Sequence, residues 1–154
     1  MLQITKTDEY DLWFSQTDRP FIFSSPFGGQ DFALLLVIAD PTITDDERDA
    51  VSKEVVRQGC RYAVCTGHQC SRWDDAIDLA YLATSPDFSP PDEKFVMTTW
   101  HEGDPLEDVA HYFRWNTVFD EFIPQHYFVL ILGGDVGTAR QVRSAIENWF
   151  GPVS

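Results

Sequence analysis

The stretch Phe32-Ala33-Leu34-Leu35-Leu36-Val37-Ile38-Ala39 constrains this chain more than any other, because it is apolar at every position. A strand without polar alternation has no face to turn to water, so it must be covered on both sides, as a central strand of a parallel sheet is. The run is too short to span a bilayer, and Asp40-Pro41 stops it where a strand hands over to a crossover connection. Tyr127-Phe128-Val129-Leu130-Ile131-Leu132 repeats the pattern later in the chain. Two weaker strands are predicted between them, Arg61–Cys65 and Lys94–Trp100, the second of mixed polarity and suited to a sheet edge.

Each of these strands is followed by a helix signal. Thr44-Asp45-Asp46-Glu47 has the form of a capping box with an acidic first turn, and it predicts a helix from about Asp45 to about Gln58 with Val51 and Val55 inward. Gly59 supplies the left-handed residue after its end. Ser71-Arg72-Trp73-Asp74 predicts a cap and a helix burying Trp73, Ile77, Ala80 and Leu82. Asp104-Pro105-Leu106-Glu107 places an acidic cap before a proline at the first helical position, with Leu106, Val109, Ala110 and Phe113 as the inner stripe. The turn Gly133 to Thr138 leads into a last helix with Ala139, Val142, Ile146 and Trp149 inside, ended by Gly151-Pro152.

Strands alternating with helices predict an α/β fold, a three-layer sandwich with a mainly parallel four- to five-stranded sheet and helices on both faces. Numbering the core strands alone, the Rossmann-like order 3-2-1-4 buries the two apolar strands if an N-terminal strand covers the fourth; the flavodoxin-like order 2-1-3-4 is the alternative. One domain over residues 1–154 is expected, with residues 1–31 an irregular aromatic cover that has room for one added strand.

Twenty-five acids face eleven bases, a formal charge of -14. That balance repels phosphate backbones and anionic lipid, so neither nucleic acid nor membrane is an expected partner. The start Met1-Leu2-Gln3-Ile4-Thr5-Lys6 has no signal-peptide pattern, and the three cysteines, Cys60, Cys65 and Cys70, are odd in number, so a cytoplasmic protein with reduced thiols is expected.

In open α/β sheets ligands sit beyond the carboxyl ends of the strands. Those ends carry Asp40, His68, Cys70, His101, Gly134 and Asp135, the candidate ligand-binding set. Histidine, carboxylate and thiol together could serve acid–base chemistry, and a helix N-terminus could activate Cys70; solvated loop polars and an inert buried thiol are the plain alternatives. No metal or cofactor is expected: His68-Gln69-Cys70 has no second donor pair, and Gly133 to Gly137 lacks the dinucleotide spacing and the P-loop lysine. A different feature points to binding. Tyr112, Trp115, Phe119 and Phe122, spaced three, four and three, read as a second apolar stripe on the third helix, opposite the sheet-facing one. Residues 1–31 or a protein partner must cover it. The expected function is therefore protein–protein interaction, as homodimer, adaptor or inhibitor of a basic partner; the alternative is an enzyme or small-ligand sensor using the carboxyl edge.

Overall fold

All seven residues of β3, Phe32–Ile38, are buried, because this strand lies between two parallel neighbours and under helices on both faces. The computed structural model describes residues 1–150, and their fold is α/β with a six-stranded, mostly parallel sheet and four α-helices. In chain order the elements are β1 Leu2–Lys6, β2 Asp11–Thr17, β3, α1 Asp45–Arg57, β4 Cys60–Gly67, α2 Cys70–Leu82, β5 Met97–Trp100, α3 Leu106–Trp115, β6 His126–Leu132 and α4 Val136–Glu147. The sheet order is β1-β2-β6-β3-β4-β5, and only the β1–β2 pair is antiparallel. The core strands thus follow the 3-2-1-4 order, but with two N-terminal strands beside the fourth, not one. Within residues 1–31 only the remainder around and after β1 and β2 is irregular.

Period-two alternation divides the core. Ala33, Leu35 and Val37 face Val109 and Phe113 of α3 and Val142 and Ile146 of α4. Leu34, Leu36 and Ile38 face Val51 and Val55 of α1 and Trp73 and Ile77 of α2. No helix among the described residues is long and apolar enough to cross a membrane, and Cys60, Cys65 and Cys70 are buried and unpaired.

Two of the four helix starts, those of α1 and α4, are capped as expected, and those of α2 and α3 are not. Thr44 and Glu47 form the reciprocal capping box of α1. At α2 the cap position is Gln69, in the left-handed region at φ 55, with no side-chain cap, and Tyr81 rather than Ala80 or Leu82 completes the buried stripe. At α3 Pro105 is the cap position and Asp104 caps nothing. β5 is an edge strand as expected but starts only at Met97, because Asp92–Lys94 forms a 3-10 turn. Asp135 and Thr138 cap α4, Trp149 is 37% exposed, and the expected stop at Gly151-Pro152 lies outside the described residues.

Between α2 and β5, Asp74 is buried with one carboxylate oxygen lacking a hydrogen-bond partner among the described residues, while Asp78 accepts from the Thr98 hydroxyl at 2.6 Å. Burial raises the pKa of both carboxyls against the lowering effect of Thr98; the Asp75 charge adds to both shifts and the Asp74 charge to that of Asp78, each by less than desolvation. A pKa raised on folding means that the folded state holds the proton more tightly, so stability from these groups is present below the ordinary carboxylate range and is lost as pH rises through the folded value. Asp74→Asn should therefore raise stability at neutral pH by about 1 kcal/mol. Chemical unfolding at several pH values should show this advantage shrink as acid protonates the wild-type group. Gly67 supplies a second check: at φ +97, a Cβ there would lie 2.3 Å from the Ile38 carbonyl oxygen, so Gly67→Ala should cost more than about 2 kcal/mol in the same assay.

Candidate functional site

At the carboxyl edge the candidate residues are drawn into separate local networks. Asp40 accepts from the Thr42 amide at 2.7 Å and the Thr42 hydroxyl at 2.6 Å, and its other oxygen is 3.3 Å from Arg19. The Thr42 bonds, reinforced by Arg19, hold its carboxyl below the usual range. Arg19 is itself committed, to both oxygens of Glu47 at 2.7 and 3.1 Å and to the Thr42 carbonyl at 2.8 Å. Asp135 accepts from the Thr138 amide at 2.8 Å, and this cap lowers its pKa. The glycine turn is filled by protein: a Cβ on Gly133 would meet that of Asp40 at 2.5 Å, and one on Gly134 would meet that of Ala39 at 2.9 Å. Close packing, not anion binding, accounts for both glycines.

Cys70 opens α2 but is 1% exposed, and burial raises its thiol pKa against the lowering effect of nearby backbone N–H groups. His101 has Thr99 Oγ1 at 3.0 Å from Nε2, Asp104 at 3.5 Å from Nδ1, and the Tyr112 ring at 4.6 Å. The Tyr112 hydroxyl in turn bonds that of Tyr62, whose pKa is raised by burial and by this shared hydrogen bond. Asp104, His101, Thr99, Tyr62 and Tyr112 thus form one polar cluster running from the surface under α3. A cleft of about 390 Å³ beside it is lined by Thr66, His68, Asp104 and Leu106 among others. Of the six candidates only His68 lines this cleft, and no group of three or more His, Cys, Asp or Glu residues among the described residues could hold a metal ion.

The four aromatics do not share one helical stripe, because α3 ends at Trp115. Thr117 is buried and gives its hydroxyl to the Phe113 carbonyl at 2.9 Å. Phe119 and Phe122 lie in a tight turn and exchange backbone hydrogen bonds of 3.2 and 2.8 Å. Asp120, at φ 47, and Glu121 occupy its tip. Their rings pack on the protein itself: Phe119 meets Tyr62 and Phe95, and the Arg61 guanidinium lies over both Phe119 and Phe122. Trp115 differs, being 54% exposed.

Trp115 lines a groove of about 780 Å³ at the opposite, amino-terminal edge of the sheet, where β2 starts at Asp11 and β6 at His126. Val118 and Ile123, 52% and 70% exposed, share this groove with it. Arg114 lies half-buried between the Tyr10 and Trp115 rings, 4.4 and 4.1 Å from their centres, and donates to the Tyr127 hydroxyl at 3.2 Å. His126 and Asp11 close one end as a 2.7 Å pair, with Phe27 stacked on the imidazole. Ile123 also lines a second depression of about 540 Å³, which contains Arg61 and the acidic turn tip. The sequence placed a ligand site at the carboxyl edge and an interface on Tyr112, Trp115, Phe119 and Phe122; of these four only Trp115 lines this groove, and Val118 and Ile123 were missed, though their spacing around a polar Asp120-Glu121 pair was an available signal.

The thiol environment yields a prediction. A chromogenic disulfide reagent at neutral pH should find no fast-reacting cysteine in the native protein and three after unfolding without reductant, because all three are buried and their pKa values raised.

A family model described as "Domain of unknown function (DUF7684)" matches residues 12–148, from the start of β2 to the end of α4. None of the curated proteins matches the chain. With five of the six strands, all four helices and Trp115, Val118 and Ile123 of the groove inside the matched span, the chain belongs to the DUF7684 family.

Proposed function

We propose that this protein acts by binding another protein, as an interaction module rather than a catalyst, and that the groove around Trp115 is its contact surface. The observation that carries this reading is the grouping of Trp115, Val118 and Ile123, each more than half exposed, along one depression. Scattered surface apolar residues need no explanation, but a contiguous set rimmed by polar groups is the usual make-up of a contact surface, with tryptophan a preferred anchor. Burying each side chain contributes about 1.5–3 kcal/mol, enough in sum to support specific association. The enzyme alternative finds less support, since Asp40, His68, His101 and Asp135 do not converge on one cleft. The scaffold is read as a Rossmann-like three-layer sandwich used for display, in keeping with its paired helix faces. A cytoplasmic setting fits the three unpaired cysteines.

The test begins with proteins captured from the source cells, each then purified and its affinity measured. Trp115→Ser/Ile123→Ser should weaken a true partner at least about tenfold, whereas His68→Ala should leave it unchanged. A partner indifferent to the groove change and lost with His68→Ala overturns the reading. The variants should remain folded: Trp115→Ser should cost about 0.5–1 kcal/mol, the worth of its exposed contact with Arg114. Phe122→Ser, by contrast, removes a buried ring and should cost about 3–5 kcal/mol in thermal or chemical unfolding.

A further inference from the structure

The charges around the groove are not evenly distributed. Asp8, Glu9 and Asp11 line the first depression, with Lys6 and Arg114 as its bases. The second is lined by Asp31, Asp92, Glu93, Asp120 and Glu121, with Arg61 as its base. The bases are already engaged: Arg61 is bonded to Asp31 at 3.2 Å under the Phe119 and Phe122 rings, Arg114 is held between Tyr10 and Trp115, and Lys6 also has a partner. The acids are less committed. None of Asp92, Glu93, Asp120 and Glu121 forms an ion pair with another described residue, and all four are exposed. The two depressions meet at Ile123, so the apolar residues of the first adjoin the acids that line the second.

We infer that the occupant is a cationic segment of another protein, with an apolar side chain seated against Trp115, Val118 and Ile123 and lysines or arginines reaching the acids of the two depressions. This rests on the binding role proposed for the groove and adds the chemistry of what it binds. A second copy of this chain is the wrong complement. A two-fold contact sets the same patch against itself, so one acid-rich surface would face another, within a molecule whose formal charge is already -14. A cationic segment instead replaces acid–acid repulsion with attraction, and the field of the whole molecule speeds its approach.

The probes are synthetic peptides measured by calorimetry on the full chain: one with lysines flanking a Leu-Leu pair, one with glutamates in place of the lysines, and one with glycines in place of the leucines. The first should bind and the second should not. The third should bind at least about tenfold more weakly than the first. Raising salt from about 50 to about 500 mM should weaken the first at least about tenfold, since screening shortens the reach of exposed charge. Asp120→Asn/Glu121→Gln should weaken it several-fold without unfolding the protein, because asparagine tolerates the left-handed backbone at position 120. Trp115→Ser should abolish it. Equal binding of the glutamate peptide, or full affinity after the acids are neutralised, overturns the cationic inference even where loss with Trp115→Ser leaves the groove's binding role standing. No binding of the lysine peptide at about 1 mM also overturns it. So does sedimentation showing a dimer that Trp115→Ser dissolves, which would name a second copy as the occupant.

Discussion

A strand with no polar residue has to be surrounded, and the whole architecture satisfies that demand for β3. Its flanks are taken by β6 and β4 through register-matched parallel pairing, and its two faces by two pairs of helices. β6 carries the same demand at the next position outward. Its open flank is closed by β2, pairing from Asp11↔His126 to Thr17↔Leu132, so the N-terminal segment is a structural necessity for the second apolar strand. The remaining edges go to β1 and β5, whose partly exposed residues tolerate a solvated border.

That logic shows which parts of the fold were legible in the sequence. β3 and β6 announced themselves because burial on both faces leaves no ambiguity of period. β2 did not, because Leu12 and Phe14 pack to one side while Trp13 packs to the other, so the segment shows neither clean alternation nor a long apolar run. The capping box of α1 could be read because both partners lie within four residues. Asp104 could not, since its spacing before Pro105 looks like a cap, while its carboxylate turns back three residues to His101 instead.

The same distinction applies to the candidate site. Placing Asp40, His68, His101 and Asp135 at strand ends required only local reading. What each carboxylate does there depends on partners such as Arg19, which comes from the segment after β2 and ties Asp40 and Glu47 to the start of α1. The end of α3 shows a subtler limit. Three-four-three spacing continues past Trp115, but the Thr117 hydroxyl takes the Phe113 carbonyl that a continuing helix would offer to the Thr117 amide. The periodicity outlived the helix, and the aromatics beyond it serve a turn.

That turn separates two properties that most surfaces must trade against each other. Phe119 and Phe122 hold its feet on Tyr62, Phe95 and Arg61, while Asp120 and Glu121 stand outside them in solvent. The feet carry the contribution to stability and the tip carries only charge. Residues at the tip can change sign, or the loop can lengthen there, without disturbing the sheet or the packing of α3. A family that keeps the aromatic feet can therefore vary what its members select for while the scaffold beneath stays the same, much as a handle can be fitted with different heads.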